Sequence, residues 1–83
     1  MSLSESIKLL RTKAFLSQEA FAAEIKVSIA TINRWEHGRA KPNITAMKNI
    51  KEFCRTNEIS FDEIDKEWIN LIVEKEQSKE KSE

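Results

Sequence analysis

An all-α fold of five helices is predicted from three observations. Apolar residues recur at spacings of three and four along most of the chain, with no strand-like alternation. Helix-capping residues stand before these runs, at Ser4, Ser17, Ser28, Asn43 and Ser60. One glycine and one proline in 83 residues are too few for a loop-rich design. These predict one small domain over residues 1–76, with a core unit at 4–56, a C-terminal helix at 60–76 and a disordered tail at 77–83.

The first helix is expected at 4–13, capped by Ser4, with Ile7, Leu10 and Ala14 following Leu3 on one face. Phe15 and Leu16 make a tight apolar connection. Ser17 caps a second helix, Gln18 to Ile25, with Phe21, Ala22 and Ile25 inward. Lys26 and Val27 form a short turn. A third helix runs from its cap Ser28 to about His37, with Ile32 and Trp35 as its apolar pair. Gly38 stands where a left-handed residue ends a helix. After a loop at 39–42, Asn43 caps a fourth helix carrying Ala46, Met47, Ile50, Phe53 and Cys54. Ser60 and Glu63 have capping-box spacing for a fifth helix with Phe61, Ile64, Trp68, Leu71 and Ile72. From Gln77 onward only Gln, Ser, Lys and Glu remain, a composition too polar to build a core.

Composition narrows the function. The length has no room for a two-domain enzyme, and a single cysteine cannot form an internal disulfide. No apolar run approaches the ~20 residues that span a bilayer. The first residues lack the basic flank and apolar run of a signal peptide, so a cytoplasmic location is expected. The sequence has no glycine-rich phosphate loop, no Cys/His ligand spacing and no nucleophile–base grouping. Neither an enzyme, a metal site nor a cofactor is expected. Net charge is zero, but residues 1–56 carry ten basic and five acidic groups, and residues 57–83 carry four and nine. A body of +5 beside a tail of −5 suggests a module that meets a polyanion.

The segment from Leu16 to Gly38 is the informative one. Two helices of eight to ten residues are joined by very few, and small Ala22 lets the second cross the first closely. That is helix-turn-helix geometry. The crossing helix then projects Ser28, Ile29, Ala30, Asn33 and Arg34 outward, none of them needed for the core. The stretch resembles the family of Cro and phage-repressor regulators, the XRE family, through Ser17-Gln18-Glu19, Ala22, Ile25, Val27-Ser28, Thr31-Ile32, Arg34-Trp35-Glu36, Gly38 and Lys41-Pro42. The match extends over roughly residues 5–56. It departs from the family at Lys26, where glycine is usual, at His37, where asparagine is frequent, and at Ile29-Ala30, where polar base readers are frequent.

The resemblance implies a repressor-like domain that inserts helix 28–36 into the DNA major groove. Ser28, Ile29, Ala30, Asn33 and Arg34 would then face base edges, with Arg34 suited to guanine O6 and N7 and the apolar pair to thymine methyls. Gln18, His37, Arg39 and Lys41 match phosphate-contacting positions, and Lys8 or Arg11 is within reach of the backbone from the first helix. The alternative role for Arg34 is an ion pair along its own helix. The fifth helix has more apolar residues than so small a core can bury, so Trp68, Ile69, Ile72 and Val73 are expected in a homodimer interface. A function of another class, an antitoxin-like module holding a partner protein through that helix, uses the same face. The expected partners are thus double-stranded DNA, a second copy and, in the alternative, a foreign protein.

Overall fold

A computed structural model describes the backbone of residues 1–81 and the side chains of residues 1–73. It contains α1 (Leu3–Lys13), α2 (Gln18–Ile25), α3 (Ile29–Glu36), α4 (Ile44–Thr56) and α5 (Asp62–Lys81), with no strand among the described residues. The core gathers the inward residues of every helix. Ile7, Phe21, Ile25, Ile32 and Ile50 are fully buried, with Leu3, Leu10, Trp35, Phe53 and Cys54 around them. The Phe21 and Phe53 rings meet edge to face at 5.3 Å and 74°, the geometry their quadrupoles favour.

Three boundaries differ from expectation. The first cap is Ser2, not Ser4: its side chain accepts from Glu5 N while the Glu5 carboxylate accepts from Ser2 N, a complete capping box. Both serines precede the apolar run, but only Ser2 has the glutamate three residues on. At the other end α5 begins at Asp62. Ser60 Oγ accepts from Asp62 N at 3.2 Å, and Asp65 N donates to Phe61 O at 3.0 Å, which makes Phe61 the capping position. The half-buried Phe61, packed on the core, holds that position. Third, the helix passes residue 76 and continues to Lys81, through Gln, Lys and Glu that favour helix. The expected tail therefore shares residues 77–81 with α5, and residues 82–83 lie outside the described chain.

The first four helices end in the same way. Leu16 N donates to Arg11 O, Val27 N to Ala22 O, Arg39 N to Arg34 O and Ile59 N to Cys54 O, at 2.9–3.2 Å. Each six-residue closure needs a left-handed residue just before the donor. Those residues are Phe15, Lys26, Gly38 and Glu58, with φ of 58°, 62°, 71° and 55°. Only one of the four is glycine.

Candidate nucleic-acid interface

Three residues join α2 to α3: the C-cap Lys26, Val27 and the N-cap Ser28. Ala22 is buried at the crossing, where a larger side chain would push the helices apart. Lys26 adopts φ 62° and ψ 45°, the conformation in which glycine was expected to be preferred, and its side chain stays exposed. Asn49 of α4 donates from Nδ2 to Ile25 O at 3.1 Å, which satisfies a carbonyl that the helix end leaves open. The turn is thus held from both sides, and the fold accommodates the lysine.

α3 divides cleanly. Ile32 and Trp35 point into the core, whereas Ser28, Ile29, Ala30, Asn33 and Arg34 are all exposed. Ser28 is the cap: its Oγ accepts from Thr31 N at 3.1 Å and shares a 2.8 Å hydrogen bond with Thr31 Oγ1. Its hydroxyl is therefore engaged in the helix start. The Asn33 and Arg34 side chains have no hydrogen bond or ion pair among the described residues. The ion pair expected as the alternative for Arg34 is absent among the described residues, because Glu36, the one carboxylate of α3, stands two positions on and faces away from it.

The partner of Glu36 is Arg11. Its Nε and Nη2 donate to the two Glu36 oxygens at 2.7 and 2.9 Å, and Nη1 donates to Leu16 O at 2.9 Å. Gln18 Nε2 adds a third hydrogen bond to Glu36 at 3.1 Å. The Glu36 side chain is 3% exposed and that of Arg11 16%. Burial works against the Glu36 charge, but the Arg11 and Gln18 hydrogen bonds and the Arg11 and Lys8 charges outweigh it and hold the carboxyl below its ordinary range. The cluster clamps α1, the start of α2 and the end of α3 together. Sequence reasoning quoted Glu36 in the motif but gave it no role. The available signal was a carboxylate adjoining core Trp35 on a helix with few other reasons to place one there. The cluster engages Arg11 inside the chain, so Lys8 is the exposed cation of the two first-helix candidates. Gln18 is half-buried, with one amide hydrogen on Glu36.

Beyond α3 the chain presents His37, Arg39 and Lys41, all exposed. His37 Nδ1 donates to Asn33 O at 2.8 Å and so caps the helix end, with Nε2 left over. The loop is anchored from behind: Pro42 is buried, and its carbonyl accepts from Trp68 Nε1 at 2.7 Å. Trp68 therefore ties α5 to the exit of the motif. Of the other residues expected at an interface, Ile72 is half-buried, and Ile69 and Val73 are 45% and 42% exposed. Ile44, at the start of α4, is 64% exposed and lines a groove of about 540 Å³ with Trp68 and Ile72. The sequence reading did not include Ile44, because its place beside α5 is a tertiary fact.

A family model described as helix-turn-helix matches residues 7–62. The chain belongs to the helix-turn-helix family of the Cro and phage-repressor type. This helix-turn-helix domain is similar to the HTH-type transcriptional activator BcrR of Enterococcus faecalis, at 38% identity over 53 residues. The similarity takes in 64% of this chain and 26% of that protein, so the domain spans about a quarter of the relative's length. No solved structure matches the chain significantly. Among the described residues no helix is long and apolar enough to cross a membrane, and no three His, Cys, Asp or Glu side chains gather as metal ligands. Cys54 is buried, and burial pushes its thiol up to about 11.

Proposed function

We propose that the helix-turn-helix domain binds duplex DNA sequence-specifically through α3 in the major groove and regulates transcription. One observation carries this reading: α3 and its cap Ser28 expose a face of five residues outside the core, with a cation on it at Arg34 and exposed cations beside it at Arg39 and Lys41. Side chains on the face would read base edges, and Arg39, Lys41 and His37, with Gln18 at the start of α2, would contact phosphates. Counterion release from those phosphates makes the affinity fall with salt. The expected mode of action is repression by occupying a promoter. The relative's name says activator, and the same docking serves either outcome according to where the site lies.

The domain acts as a homodimer in this reading, through Trp68, Ile69, Ile72 and Val73 joined by Ile44. A two-fold pair sets two α3 helices about 34–36 Å apart on a pseudo-palindromic site. The same exposed apolar strip on α5 supports the second reading, capture of a foreign protein.

Competition binding against single-base operator variants tests the assignment. Arg34→Ala lowers specific affinity by about 1–3 kcal/mol and relaxes preference at one base position per half-site. Arg39→Ala or Lys41→Ala lowers affinity on all sequences alike and flattens the salt slope by about one unit. An Arg34→Ala protein with unchanged preference at every position would refute the base contact.

A further inference from the structure

We infer that Ile29 and Ala30 read thymine methyl groups, so that each half-site pairs a methyl-dependent thymine with an Arg34-dependent guanine. This rests on the DNA-binding reading above and adds the base chemistry. Residues 29, 30, 33 and 34 share one face of α3 as two i,i+4 rows, Ile29 to Asn33 and Ala30 to Arg34. The front of each row is apolar and the back is polar. The two hydroxyls nearest the front, on Ser28 and Thr31, bond to each other, and Ser28 Oγ also accepts from Thr31 N. That pairing turns the two hydroxyls toward the helix start, and the side chains that lead the exposed face are the apolar Ile29 and Ala30. Ile29 is nevertheless 48% exposed, a large apolar side chain at the tip of an element whose buried residues are Ile32 and Trp35.

In the major groove the apolar feature of a base edge is the C5 methyl of thymine. Arg34 on the same face and Arg39 and Lys41 beside it favour a polyanion over an acidic-patch-free protein surface as the occupant. Each row is about 6 Å long, from four residues at ~1.5 Å rise. The methyl-reading front and the guanine-reading Arg34 therefore stand about one helical turn apart, and the thymine and the guanine fall within one half-site.

The test uses duplexes selected from a random pool by the full chain. Each consensus thymine is replaced by uracil, which removes only the methyl group, and affinity is measured for wild type and Ile29→Ala. Ile29→Ala keeps the core intact, because the residue is exposed and alanine favours helix. The expected result is a loss of about three- to tenfold at one or two positions per half-site for wild type. At one of those positions the loss falls below about twofold in Ile29→Ala, while the guanine preference persists. Uracil tolerated everywhere, or a loss that stays undiminished in both Ile29→Ala and Ala30→Ser, overturns the inference and leaves the DNA-binding reading standing. A pool that yields no consensus overturns both.

Discussion

Phe15, Lys26 and Glu58 occupy the left-handed backbone region, where a side chain is strained by about 1–2 kcal/mol and glycine is not. Phe15 is the extreme case, because its ring is 94% exposed and so gains almost no packing in return. Phe15→Gly and Lys26→Gly should each stabilise the domain by about 0.5–1 kcal/mol, the strain relieved less the extra freedom glycine has when unfolded. Urea unfolding decides this, and a less stable glycine variant would show that the replaced side chain packs usefully. Gly38→Ala supplies the opposite sign. An added Cβ meets nothing closer than Ser4 Oγ at 3.9 Å, so the expected loss of about 1–2 kcal/mol is backbone strain alone. Lys26 was legible through the family resemblance, which has glycine at that turn position. Phe15 and Glu58 were not, since neither side chain suggests the conformation that its backbone adopts. Cys54 was legible as a buried apolar residue. With its thiol raised to about 11, it should resist alkylation in the native protein and react only after denaturation, as mass spectrometry in and out of urea would show.

At the scale of the element, α3 is placed by more than its apolar pair. The period-3.6 pattern alone separates Ile32 and Trp35 from the outward face, which is why that face was readable from sequence. The Arg11–Glu36–Gln18 cluster was not, because the ion pair joins residues 25 positions apart. It fixes the end of α3 against α1 and α2, and removing one buried partner strands the other. Glu36→Gln should therefore destabilise the domain by about 3 kcal/mol at neutral pH. The sign with pH follows from the lowered Glu36 carboxyl. A depressed folded value gives stability that is complete above the unfolded value of about 4.3 and is lost as pH falls through the folded one. Thermal unfolding of wild type and Glu36→Gln from pH 7 downward should show their difference persisting to the carboxylate range and shrinking below it. A difference constant across that range would mean that the charge contributes nothing. The start of α5 was misread by one position, because burial of Phe61 outweighed the capping-box spacing of Ser60 and Glu63.

At the scale of the whole molecule, the basic excess lies within residues 1–56 and the acidic excess within residues 57–83. That polarity suits a protein that offers one end to DNA and the other to a second copy. The excess of apolar residues on α5 was visible in the sequence. Which of them the monomer uses was not: Ile64 is buried, Trp68 bonds to Pro42, and Ile69, Leu71 and Val73 remain exposed. Sedimentation at micromolar concentration should give a dimer for wild type and a monomer for the Ile69→Glu, Val73→Glu double variant. A wild-type monomer, or a dimer that survives both changes, would leave the strip to a foreign partner. The central claim, that α3 reads DNA sequence, is tested most directly by selecting duplexes from a random pool with wild type and with an Asn33→Ala, Arg34→Ala variant at one stated salt concentration. Wild type should select a pseudo-palindromic consensus with half-site centres about 10 base pairs apart. The variant should lose that consensus and keep salt-dependent non-specific binding. No enriched motif from wild type, or the same motif from both proteins, would contradict the claim.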